Sequence, residues 1–113
     1  MNQVRLTASI AEASPLRYTP AGIPALNLVL EHQSELAGGD EGHAKGITRQ
    51  VKLTMRAVVF GSLAETSARF ELGKPMLFTG FLINARTSKS IVFHIQSIAQ
   101  PPHEDAERSL NII

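Results

Sequence analysis

Cysteine is absent from the 113 residues, which excludes a disulfide framework, a thiol nucleophile and a cysteine zinc site. The absence also permits a reducing compartment. No apolar run approaches the roughly 18 residues that a membrane-crossing helix needs, so no membrane partner is expected. The first residues, Met1-Asn2-Gln3-Val4-Arg5, alternate at once and contain no apolar segment of a secretory signal, so the expected location is cytoplasmic. An excess of one charge is missing too: 11 Lys and Arg stand against 10 Asp and Glu, for a net charge of +1. Aromatic residues make up only 5%. What remains is 43% hydrophobic and 19% charged, enough for one small domain with its own core.

The balanced charge is unevenly spread. Residues 101–113 carry Glu104, Asp105 and Glu107 against a single base, Arg108. Residues 45–56 carry Lys45, Arg49, Lys52 and Arg56 and no acid. The expected organisation is one domain over residues 1–100 and a flexible acidic tail over 101–113, where two prolines open a stretch without periodicity.

Alternation dominates the first hundred residues. Val4, Leu6, Ala8 and Ile10 share one parity and Arg5, Thr7 and Ser9 the other, which predicts a half-buried strand over 3–13. Three prolines and a glycine between residues 15 and 24 predict a loop. Leu26, Leu28 and Leu30 predict a second strand over about 25–33. Four glycines with mixed charge make 34–46 a long connection. A third strand over about 48–60 turns Val51, Leu53, Met55, Ala57 and Val59 one way and Lys52, Thr54 and Arg56 the other. Ser62 and Glu65 are spaced as a capping box, predicting a helix of two to three turns that ends near Gly73. Two further strands follow, around Met76–Ile83 and Ile91–Gln96, joined by a polar hairpin turn. Gly80 falls inside the fourth strand, where glycine permits a bend or a close backbone approach. Three strands, a helix and two strands form the pattern of an all-β OB-fold, a five-stranded Greek-key barrel with one short helix between strands three and four. An SH3-like barrel would not place a helix there.

No constellation for enzyme chemistry stands out. His32, His43, His94 and His103 show no metal-ligand spacing, and no G-x-S-x-G or phosphate-loop pattern occurs. His32 and His94 fall near strand ends, where a barrel can bring them together, but two histidines without a third ligand make a poor zinc site. No cofactor and no catalytic activity are expected. The basic residues are more informative. Lys52 and Arg56 project from the third strand, Arg17 and Tyr18 lie in the first loop, and Arg86 and Lys89 lie in the last hairpin. OB-folds bind oligonucleotides on this side of the barrel, using cations for phosphates and flat rings for bases. Tyr18 is the single exposed aromatic candidate, and the five phenylalanines are assigned mostly to the core.

Residues 15–34, P-L-R-Y-T-P-A-G-I-P-A-L-N-L-V-L-E-H-Q-S, resemble a segment of the primosomal replication protein N (PriB) family, through Arg17, Pro20, Gly22, Ile23, Pro24, Glu31 and His32. Arg56-Ala57-Val58-Val59-Phe60-Gly61 and Gly73–Leu82 are similar to the matching stretches of bacterial single-stranded-DNA-binding proteins. The similarity covers about residues 3–99. It implies a homodimeric OB-fold without catalytic activity that binds single-stranded DNA in replication restart. Its partners would be the primosomal helicase, which it stabilises on DNA, and other primosome proteins. Carried across by position, the family's DNA-binding sites fall on Tyr18, Gln33, Ile47, Arg49, Lys52, Arg86 and Lys89. Where the well-studied branch has basic residues this chain has Tyr18 and Gln33, and where that branch has aromatics it has Ile47 and Lys52. Each lost base stack weakens binding by about 1–3 kcal/mol. Two other readings follow: an OB-fold adaptor that mainly binds protein, and a single-stranded-DNA-binding protein proper.

Overall fold

The computed structural model describes residues 1–37 and 48–101. The elements run β1 (Val4–Ala13), β2 (Arg17–Tyr18), β3 (Pro24–Ala37), β4 (Thr48–Phe60), α1 (Ser62–Ser67), β5 (Met76–Asn84) and β6 (Ile91–Ala99). The sheet order is β1-β5-β6-β4-β3, and a β1–β3 pairing closes it into a five-stranded barrel. The two-residue β2 flanks β3 outside that circuit. All pairings are antiparallel except β4 with β6. The expected OB-fold architecture is therefore present, with the helix between the third and fourth long strands.

Closure depends on β1 serving two neighbours. Residues 4–8 pair with β5, from Val4 opposite Gly80 to Ala8 opposite Met76, and residues 9–13 pair with β3. A register shift between Ile10 and Glu12 bends the strand where it joins β3. A second shift on the β5–β6 ladder lies between Thr79 and Gly80. At Gly80 a Cβ would collide with the backbone carbonyl of His94, so only glycine lets β6 approach this closely.

The inward parities read from the sequence form the core, except Val51 and Leu53, which lie on the arm and are exposed. Leu26, Leu28 and Leu30 of β3 pack with Ile10, Val59, Phe78, Phe93 and Ile95. Phe78 and Phe93 are fully buried, and each such ring stabilises the barrel by about 1.5–3 kcal/mol relative to exposure. Ala64 of α1 is also buried and closes one end.

Two local expectations are corrected. The connection after the second strand does not begin at residue 34: Ser34, Glu35 and Leu36 continue β3, paired with Val51, Gln50 and Arg49. Cross-strand pairing extends β3 through the glycine-free residues up to Ala37, so β3 and β4 form an arm beyond the barrel. The helix is six residues long, not two to three turns, and its N-cap is Gly61 at φ 78° with no side-chain cap. Ser62 is thus already inside the helix, and the capping box does not form. Thr66 and Ser67 donate their hydroxyls back to the carbonyls of Ser62 and Leu63, a back-bonding that slightly destabilises a helix. Gly73 adopts φ 83°, but in a turn well beyond the helix end, where its N–H donates to the Ile10 carbonyl at 3.0 Å.

Candidate nucleic-acid interface

The outer face of β4 organises the candidate site. Strand alternation turns Lys52, Thr54, Arg56, Val58 and Phe60 outward together. Their neighbours on β3 are Gln33, Glu31, Val29, Asn27 and Ala25 respectively. Cations, a hydroxyl and a ring therefore follow one another along a single strand.

The flanking residues take up opposite ends of this strip. β2 pairs Arg17 with Ala25 and Tyr18 with Pro24, which sets both beside the Phe60 end. Thr19 fixes the turn that carries them: its hydroxyl accepts from the Ile23 N–H, and Gly22 supplies φ 83°. Arg17 Nη2 donates to Asn27 Oδ1 at 3.2 Å, and Tyr18 is 60% exposed. Arg86 and Lys89 lie in the turn between β5 and β6. Because β6 runs parallel to β4 with Phe93 opposite Ala57, that turn sits alongside the Lys52 end. The two ends of the strip are eight residues apart, about 26 Å along an extended strand. Arg17 and Tyr18 thus do not cluster with Arg86 and Lys89; the two pairs mark the ends of a track.

The other sequence-derived positions divide. Gln33 faces Lys52 across the ladder, and its amide donates to Gln50 Oε1 at 3.4 Å. Arg49 has the opposite parity from Lys52. It projects from the second face of the arm, where Leu36, Val51 and Leu53 are also exposed. Ile47 lies outside the described residues.

Aromatic surface here extends beyond Tyr18. Phe60 is 37% exposed, not core. His94 of β6 stacks on Phe81 of β5 with ring centroids 4.5 Å apart, and Phe60 lies tilted against the same imidazole at 5.4 Å. Phe70 packs against the core from its edge, so only Phe78 and Phe93 of the five phenylalanines are fully buried. The signal for Phe60 was its even parity with Lys52 and Arg56. The signal for His94 was its alternation with Phe93 and Ile95. Phe81 follows only from the ladder that sets it opposite His94.

His32 and His94 do not meet. His32 Nδ1 lies 2.7 Å from the Thr7 carbonyl, at the point where β1 leaves β5 for β3. Because that carbonyl can only accept, Nδ1 carries the proton, and Nε2 faces the Ser34 hydroxyl at 2.9 Å. His32 therefore anchors β1 to the base of the arm. Among the described residues, no group of three or more His, Cys, Asp or Glu is placed to hold a metal ion. Nor, among them, is any helix long and apolar enough to cross a membrane.

Comparison with known proteins agrees with this geometry. A family described as "another single-strand binding protein family" matches residues 2–97. Replication restart protein PriB of Bordetella pertussis is 42% identical over 97 residues, 85% of either chain. The protein of the same name from Neisseria gonorrhoeae is 35% identical over 100 residues, 88% of this chain and 93% of that one. The solved structure of PriB from Ralstonia solanacearum superimposes with a TM-score of 0.72 at 30% identity, over 90% of this chain and 99% of that one.

Proposed function

Because this chain belongs to the single-strand binding family, and within it to the replication restart protein PriB group, we propose that it binds single-stranded DNA in replication restart. It acts as an accessory without a reaction of its own. It holds the primosomal helicase on DNA and helps the primosome assemble. The observation that carries this reading is the outer face of β4, where Lys52 and Arg56 alternate towards Phe60 and the Phe81–His94 stack. A single strand needs phosphate contacts and ring contacts in succession, and duplex DNA offers no free base faces to stack.

One specific observation favours a second reading, an adaptor that mainly binds protein. Glu31 and Glu35 stand on the same face of the arm as Gln33 and Lys52, and their charge opposes phosphate binding. The test is fluorescence anisotropy of a labelled single-stranded oligonucleotide, competed with duplex, with and without the primosomal helicase. Preference for the single strand supports the first reading. Absence of DNA binding alongside tight helicase binding supports the second.

The same reading includes a homodimer. Residues 4–8 of β1 pair with β5 on one edge, and among the described residues no strand pairs with the other edge. That edge borders a groove of about 410 Å³ reaching from Thr7–Ser9 to His32 and Leu53 of the arm. Unpaired strand edges recruit partners, and a second copy of β1 has the matching length. Sedimentation at micromolar concentration is expected to give twice the mass of one chain, and a clean monomer would contradict the dimer.

A further inference from the structure

We propose that a groove between Glu12 and Arg56 seats a nucleobase and favours cytosine and adenine, whose exocyclic amino group stands beside an acceptor ring nitrogen on the Watson–Crick edge, over thymine. The inference rests on the single-stranded-DNA reading above and adds base preference to it. The groove measures about 400 Å³ and runs across the outer face from the end of β1 to β6. Its floor is Val29, Val58 and Val92, from three adjacent strands, all half-buried or buried. A flat apolar floor suits the face of a heterocycle.

Its walls are polar and chemically distinct. Val29 is paired with Glu12 on one side and with Arg56 on the other, so the carboxylate and the guanidinium rise on opposite sides of it. Their backbones are two strand spacings apart, about 9.6 Å. Arg56 can only donate, to a phosphate or over a ring, and the Glu12 carboxylate offers acceptor oxygens. Asn27 completes the set. Its Oδ1 is taken by Arg17, which leaves the amide Nδ2 as a donor on the same groove. An acceptor and a donor thus stand over an apolar floor.

Glu12 is otherwise hard to reconcile with a phosphate track, because a carboxylate repels the backbone unless a donor meets it. The 4-amino group of cytosine and the 6-amino group of adenine are such donors, and each is followed by a ring nitrogen that accepts from an amide. Thymine presents the O4 carbonyl oxygen at the corresponding position, whose partial negative charge faces the carboxylate, and its one edge donor, N3–H, lies one position further along the edge.

The test compares labelled oligo(dC) and oligo(dT) of equal length by anisotropy, at a pH well above the cytosine pKa. The native chain is expected to prefer oligo(dC) by about five- to tenfold, the lower part of what a base-edge contact supplies. Glu12→Ala should erase the preference chiefly by strengthening oligo(dT) binding. Glu12→Gln, whose amide can accept or donate, should erase it as well. Glu12 is exposed, so both variants are expected to melt with the native chain. Two results overturn the inference alone: single-strand binding with no base preference, or Glu12→Ala strengthening both oligonucleotides alike. A native chain that binds no single strand at all would overturn the single-stranded-DNA reading first, and this inference with it.

Discussion

Lys52 and Phe60 stand on the same face of β4, with Thr54, Arg56 and Val58 between them. Under the proposed function Lys52 contacts a phosphate and Phe60 stacks on a base, so their contributions to DNA binding separate experimentally. Phe60→Ala should weaken binding to single strands by about 1–3 kcal/mol, the value of one base stack. It should leave the salt dependence almost unchanged, since a ring releases no counterion. Anisotropy titrations at several salt concentrations read both quantities. Phe60 is partly exposed, so the variant should retain the fold.

Gly80 holds the barrel closed where its backbone lies against the His94 carbonyl. Gly80→Ala drives a methyl into backbone that cannot swing aside. Urea unfolding should show a loss of about 1–3 kcal/mol or more. The same substitution at Gly22 meets open space but strains a positive φ, so its cost is confined to the first turn.

Truncation after Gln100 should leave the melting temperature nearly unchanged. The described core is complete by Ala99, the last residue of β6. Calorimetry of the shortened chain checks this, and a drop of many degrees would show that Leu110, Ile112 and Ile113 contribute to packing.

Period-two alternation made the strands legible because one face of each is buried: Leu26, Leu28 and Leu30 occupy the core positions that their parity predicts. Gly80 stands out inside an apolar strand as the place for a bend or a close backbone approach, and only the contact with the His94 carbonyl shows the close approach. The helix was overread. Ser62 and Glu65 have capping-box spacing, but Gly61 takes the N-cap, and the hydroxyls of Thr66 and Ser67 turn back on the chain. The arm was underread, because Ser34–Leu36 owe their strand to partners on β4 and not to their own pattern. The site was legible in its parts but not in its layout. Parity put Lys52 and Arg56 outward. Only the parallel β4–β6 register shows that Arg86 and Lys89 flank Lys52, and only the β2–β3 and β3–β4 pairings show that Arg17 and Tyr18 flank Phe60. The Phe81–His94 stack joins strands that no local pattern relates.

The most direct test of the β4 face as the single-strand site compares two charge reversals, Lys52→Glu and Arg69→Glu. Lys52 lies on the strip, and Arg69 is exposed in the turn that follows α1. The native chain should bind with a slope of log K against log salt of about −1.5 to −3 per subunit, at about −0.7 per phosphate neutralised. Lys52→Glu should weaken binding alike for every base composition and make that slope shallower by about 0.7 or more. Arg69→Glu should change neither quantity by a comparable amount. Equal effects from the two reversals would contradict the placement of the site on this face.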